Sequence, residues 1–203
     1  TVSGDVKTPI GSTLSTCDST NDIGDIYFSP LTIGWSEGDF KWDARFGIYA
    51  PTGGYDSSSL ANTGLGFWTF EPEVTFSWLS SKTGLEVSAF AGLDFNTQNT
   101  EATYQSGDVF HIDATVAQHF PLWRGTIGIG ANAFWIRQFT DDSGSGATLG
   151  GFRLAESGIG PVVSYIHKFE KTELAIEAKW LPQIDEENTM KGDYVWVKCA
   201  LVF

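Results

Sequence analysis

Along most of this chain side-chain polarity alternates from one residue to the next, and this two-residue period constrains the fold more than any other feature. Successive side chains of a β-strand point to opposite faces, whereas a helical stripe repeats every 3.6 residues. Trp68, Phe70, Pro72, Val74, Phe76 and Trp78 are interleaved with Thr69, Glu71, Glu73, Thr75 and Ser77. Leu85, Val87, Ala89, Ala91, Leu93 and Phe95 alternate in the same way with Glu86, Ser88, Phe90, Gly92 and Asp94. The rule holds to the end of the chain, where Val195, Val197, Cys199, Leu201 and Phe203 oppose Tyr194, Trp196, Lys198, Ala200 and Val202. It predicts nine strands, at 25–35, 40–50, 66–79, 84–97, 108–120, 124–140, 153–169, 172–182 and 192–203.

Short connections near 36–39, 80–83, 121–124 and 170–171 alternate with long ones at 5–24, 51–65, 98–107, 141–152 and 183–191. An up-and-down barrel in the bacterial outer membrane places short turns on the periplasmic side and long loops outside. The predicted strand lengths suit the roughly 9–11 residues that a tilted strand needs to cross a bilayer. The expected fold is therefore all-β, an antiparallel up-and-down transmembrane β-barrel of about nine strands. No linker or low-complexity tract divides the chain, so residues 1–203 form a single domain. Its expected location is the bacterial outer membrane, with lipid as a partner.

Composition narrows the field. With 12 Lys+Arg against 25 Asp+Glu, a net charge of -13, nucleic acid is not an expected partner. Charged residues are only 18%, while Gly reaches 23, Phe 15 and Trp 8, as suits a barrel with an apolar exterior. No apolar run exceeds five residues, far below the roughly 18 that a membrane-spanning helix requires. Cys17 and Cys199 are the two cysteines, too few for a disulfide-stapled scaffold. The amino terminus carries no signal-peptide pattern.

If the turn at 170–171 is periplasmic, the last strand ends at the periplasmic edge. A terminal aromatic there, Phe203, looks like the signal read by the barrel-assembly machinery. Bacterial single-chain barrels have even strand numbers. Nine strands therefore imply either a tenth within residues 1–10 or upstream strands that this chain lacks.

Assigning the apolar face to lipid turns the other face toward the lumen. The candidate lining residues are Lys41, Arg45, Glu71, Glu73, Glu86, Asp94, His111, Asp113, Lys179 and Lys198. Charges inside a barrel either pair or are hydrated, so the set reads as an interior network, a polar path for solute, or both. His111 and Asp113 share a face, but His119 lies about 26 Å along an extended strand from His111, too far to share a metal site. No metal site, catalytic residue or cofactor is assigned, and the chain is expected not to be an enzyme. The run Asp141–Gly146 lacks the twelfth-position glutamate of a helix-loop-helix calcium site and reads as a hydrated external loop. Tryptophans near strand ends suggest aromatic girdles. Pro72 and Pro161, each within a predicted strand, suggest bulges or local openings of the wall.

Several stretches resemble a known family: Gly24-Asp25-Ile26-Tyr27-Phe28-Ser29-Pro30, the span from Gly47 to Tyr55, Ala61-Asn62-Thr63-Gly64 with Trp68-Thr69-Phe70-Glu71-Pro72, Tyr104-Gln105-Ser106-Gly107-Asp108, and Lys191-Gly192-Asp193-Tyr194-Val195-Trp196. These resemble the outer-membrane channel family named for the meta-pathway of phenol degradation, over essentially the whole chain. The resemblance implies a twelve-stranded barrel for passive uptake of small molecules, aromatic and cyclic hydrocarbons among them, in Gram-negative bacteria. It also implies that strands upstream of this chain complete the barrel, and it transfers no catalytic residues. The alternatives are a barrel enzyme of lipase or deacylase type, a closed structural barrel, and a soluble β-sandwich.

Overall fold

The computed structural model describes residues 2–7, 13–59, 61–148 and 150–203, with side chains from Cys17 onward. Eleven strands are present, β1 (Val2–Lys7), β2 (Thr13–Asp18), β3 (Ile26–Glu37), β4 (Phe40–Ala50), β5 (Thr69–Leu79), β6 (Leu85–Asn96), β7 (Val109–Leu122), β8 (Gly125–Gln138), β9 (Ala155–Lys168), β10 (Glu173–Glu187) and β11 (Asp193–Val202). The described residues contain no helix, and hence none long and apolar enough to cross a membrane.

Strands β3 to β11 form one nine-stranded antiparallel meander, each paired with its neighbour in sequence. The sheet is curled into a half-barrel whose edges are β3 and β11. All nine predicted segments are strands. β10 runs further than expected, to Glu187, because it continues past Pro182 through a register shift between Gln183 and Asp185.

The stretch 5–24, read as a loop from sequence, contains part of a hairpin. β1 and β2 pair with each other in a separate two-stranded sheet, so β1 is not a tenth strand of the meander. At six residues each they are shorter than the nine strands of the main sheet, and their period is correspondingly hard to see.

Bulges fall elsewhere than at Pro72 and Pro161. Pro72 stays in register with Phe46 on β4, and only the β5–β6 ladder skips from Phe70↔Phe95 to Glu73↔Gly92. Pro161 stays paired with Ala131 on β8, while the β9–β10 ladder skips from Lys179↔Val162 to Gln183↔Gly158. A strand residue directs its N–H toward one neighbour only, so a proline interrupts one ladder and leaves the other intact. The other register shift accompanies Pro30, between Phe28 and Leu31, where the Ser29 hydroxyl donates to the Phe46 carbonyl at 3.0 Å.

The packing inverts that of a soluble domain. Among the described residues, buried apolar side chains are few and mostly small, Ala50, Ala117 and Val162 among them, whereas Glu71, Asn132, Gln138, Glu156 and Gln183 are also buried. Large apolar side chains of one parity, such as Trp42, Val74, Val116, Ile129, Val163 and Val197, are exposed. Two aromatic groups mark the ends of that face. Phe40 contacts Phe76 and Trp78 near the short turns, and Trp135 packs on Phe110 toward the long loops. Contacts between non-adjacent strands identify the polar side as the concave one: Phe134 on β8 meets Tyr194 on β11 edge to face, with centroids 5.4 Å apart.

Candidate functional site

The concave face carries the polar parity of every strand, and its charges are gathered into local groups. On β4 and β5, Arg45 lies 3.0 Å from Asp43 and 3.1 Å from Glu73. Toward the short turns, His119 Nε2 is 2.6 Å from a Glu86 carboxylate oxygen, which also accepts from Ser88 through its other oxygen. His119 is thus engaged by Glu86, well away from His111.

At the centre, Lys179 Nζ is 3.5 Å from Asp113 and 3.7 Å from Glu177. Following the ladders from Asp113 leads through Phe134 and Gly158 to Gln183, yet the partner is Lys179, further down β10. Such an offset is what strand tilt produces in a curled sheet. Asn132 on β8, 1% exposed, donates to Asp113 at 2.6 Å and to Thr115 at 2.7 Å. Tyr194 donates to Glu156 at 2.9 Å, and Gln183 donates to the same carboxylate.

Asp113, Glu177, Lys179 and Tyr194 from these groups border a concave cavity of about 400 Å³. Its wall combines the aromatic rings of Phe90, Phe134, Tyr194 and Trp196 with titratable groups that include His111, Asp113, Lys179 and Lys198. Lys198 makes no ion pair among the described residues, and its position on the wall leaves a cation facing the cavity.

Of the ten residues expected to face the lumen, His111, Asp113, Lys179 and Lys198 come together at this cavity. Glu71 and Asp94 approach it through His111, which is 2.9 Å from Glu71 and 3.7 Å from Asp94. Arg45 with Glu73, and Glu86 with His119, form separate groups on the same face. Lys41 is exposed and makes no ion pair among the described residues.

Sequence reasoning singled out charges and passed over Phe90 and Phe134, which occupy the polar parity between Ser88 and Gly92 and between Asn132 and Ile136. The signal was present, since an aromatic on an otherwise polar face breaks the alternation. The association of Glu71, Asp94 and His111 was also missed, because parity reveals a face but not which residues of neighbouring strands share a level.

Loops at the long-connection end are tied together. Asn99, 2% exposed, donates to the Leu65 carbonyl at 2.9 Å and accepts from the Glu101 and Ala102 amides. Asp142 accepts from the Gly107 amide at 2.9 Å, from Gln138 at 2.6 Å and from the Tyr104 hydroxyl. The stretch expected to be a hydrated loop therefore contains a buried carboxylate, at 8% exposure, that ties two long loops together. Burial and the adjacent Asp142 charge raise the pKa of Tyr104 above the ordinary phenol value. Cys17 and Cys199 are both free and exposed.

No curated protein and no solved structure matches the chain. A family model does, the one described as "Putative MetA-pathway of phenol degradation", over residues 1–199. A match of that extent supplies what the geometry alone does not, and the chain belongs to this phenol-degradation family.

Proposed function

We propose that the protein is an outer-membrane channel for passive uptake of small solutes, aromatic or cyclic hydrocarbons among them. The observation that carries this reading is the inverted distribution of polarity, an exposed apolar convex face against a concave face of charges around a cavity. Large contiguous apolar surfaces are rare on soluble monomers and mark interfaces or membranes. Strands of 10 to 15 residues in the meander reach the length that a tilted crossing requires.

The cavity supports the solute class. Aromatic rings offer flat apolar contact and edge-to-face geometry to a small ring, while Lys179 and Lys198 offer charge to a hydroxyl or carboxylate substituent. Solutes would move down their gradient, selected by width and charge, with the tied loops framing the mouth. Phe203, 91% exposed after the last strand, would be presented to the barrel-assembly machinery. Catalysis has no part in this reading.

The ion pairs across the concave face favour one second reading, a closed structural barrel filled by its own charges. Single-channel conductance of the full-length protein in a planar bilayer under a salt gradient separates the two. Discrete steps with a defined reversal potential are expected; silence from folded protein favours the closed barrel or a route for uncharged solutes alone.

A further inference from the structure

Adjacent strands β5, β6 and β7 each contribute one potential metal ligand to a single point on the concave face. They are Glu71, Asp94 and His111, with one donor atom from each lying within 4.8 Å of the others. His111 Nε2 is 2.9 Å from Glu71 Oε1 and 3.7 Å from Asp94 Oδ1. Two ligands held tetrahedrally at zinc–ligand lengths of about 2.0–2.1 Å are about 3.3–3.4 Å apart, a spacing that these distances straddle.

The wall leaves room for this convergence. A Cβ on Gly92, the ladder partner of His111, would clash with His111 Nε2 and sit 3.4 Å from Glu71 Oε1. A Cβ on Gly47, the ladder partner of Glu71, would sit 2.9 Å from its Oε2. Both glycines have inward parity, so the ligands meet in space that a larger residue would fill.

Charge points the same way. Glu71 is only 4% exposed, and a carboxylate so buried needs compensation. The nearby Arg45 is engaged by Asp43 and Glu73. Among the described residues, four carboxylates therefore share one guanidinium and one imidazole, an excess of negative charge that a divalent cation would neutralise. Imidazole with carboxylates is a donor set suited to zinc and its first-row neighbours, and three protein ligands leave a coordination position for water.

We propose that Glu71, Asp94 and His111 form a binding site for a divalent transition-metal cation of the zinc class, pinning β5, β6 and β7 together on the inner wall. The site rests on the packing of these strands and not on passage of solute through the lumen.

The test is calorimetric titration of zinc chloride into tag-free, full-length protein in detergent, stripped beforehand with chelator, at neutral pH. One saturable site is expected, together with a rise in the thermal unfolding midpoint. Asp94→Asn and His111→Gln should each weaken binding by about tenfold or more. His119→Gln, which alters the separate pair with Glu86, should leave the affinity unchanged. If His111→Gln does not fold, Asp94→Asn, whose side chain is 23% exposed, carries the test alone. Absence of saturable zinc binding in the wild type, or wild-type affinity in Asp94→Asn, would overturn the proposal.

Discussion

Lys179 on β10 reaches Asp113 on β7 at 3.5 Å although β8 and β9 lie between them in the sheet. A flat sheet holds neighbouring strands roughly 4.8 Å apart, so a side-chain contact that skips two strands requires curvature. The pair therefore reports both the bend of the wall and the side on which the lumen lies. It also places a cation and an anion at the cavity where Lys198 has no ion-pair partner among the described residues.

Removing positive charge here should make permeation more favourable to cations. Lys179→Met and Lys198→Glu are each expected to move the reversal potential under a salt gradient in the cation-selective direction, with the larger shift for Lys198→Glu because it reverses the sign. Planar-bilayer recordings check this. Reversal potentials unchanged in both variants would place the two lysines off the permeation path.

The rings that border the cavity should set its width. Phe134→Ala removes the edge-to-face partner of Tyr194 and should increase conductance, while Phe134→Trp should reduce it. Liposome swelling with neutral solutes of graded size would show the same order. Equal permeability in all three proteins would remove Phe134 from the constriction.

How much of this arrangement was legible in the sequence follows from what a two-residue period encodes. It shows that Glu71, Asp94 and His111 share a face, because each sits among polar neighbours on its own strand. It does not reveal register or tilt, which depend on hydrogen bonding between strands. Hence the meeting of those three residues, and of Asp113 with Lys179, became visible only in three dimensions. Pro72 and Pro161 were recognised as irregular, but whether a proline breaks one ladder or shifts both depends on which neighbour its missing N–H would have faced. Asp142 lies in a stretch rich in Gly and Ser that reads as solvated, and its burial comes from Tyr104 and Gln138, which approach from other segments.

The Tyr104–Asp142 tie should make the loops sensitive to alkali. Tyr104 binds its proton more tightly in the folded protein than in the unfolded chain, so its stabilising contribution is complete below the ordinary phenol value near 10 and declines as pH rises through the higher folded value. Tyr104→Phe should weaken the tie at neutral pH by about 1–3 kcal/mol, as expected for loss of a hydrogen bond to a charged group. Hydrogen exchange at Gly107, whose amide donates to Asp142, would read both effects. Unchanged protection of Gly107 in the variant would show that the tie does not hold the loops.

Gly92→Ala should destabilise the wall by about 1–3 kcal/mol, the usual range for overpacking a filled site. The new methyl would clash with His111 Nε2 and displace the imidazole from Glu71. Urea unfolding in detergent would measure the loss. A neutral result would mean that His111 has an equally good alternative position.

The apolar convex face offers the most direct separation of a membrane wall from a soluble sheet. Val116 lies near the middle of β7 and is 53% exposed. In a soluble protein, arginine at such an exposed strand position would change stability by about 0.5 kcal/mol or less. At the midplane of a bilayer the same change costs about 2–4 kcal/mol, because the guanidinium must be drawn toward the headgroups or hydrated within the hydrocarbon. Val116→Arg is therefore expected to lower the unfolding free energy by the larger amount when measured by urea titration in phosphatidylcholine vesicles. A loss within the smaller range would mean that this face does not contact lipid, and the outer-membrane reading would fall with it.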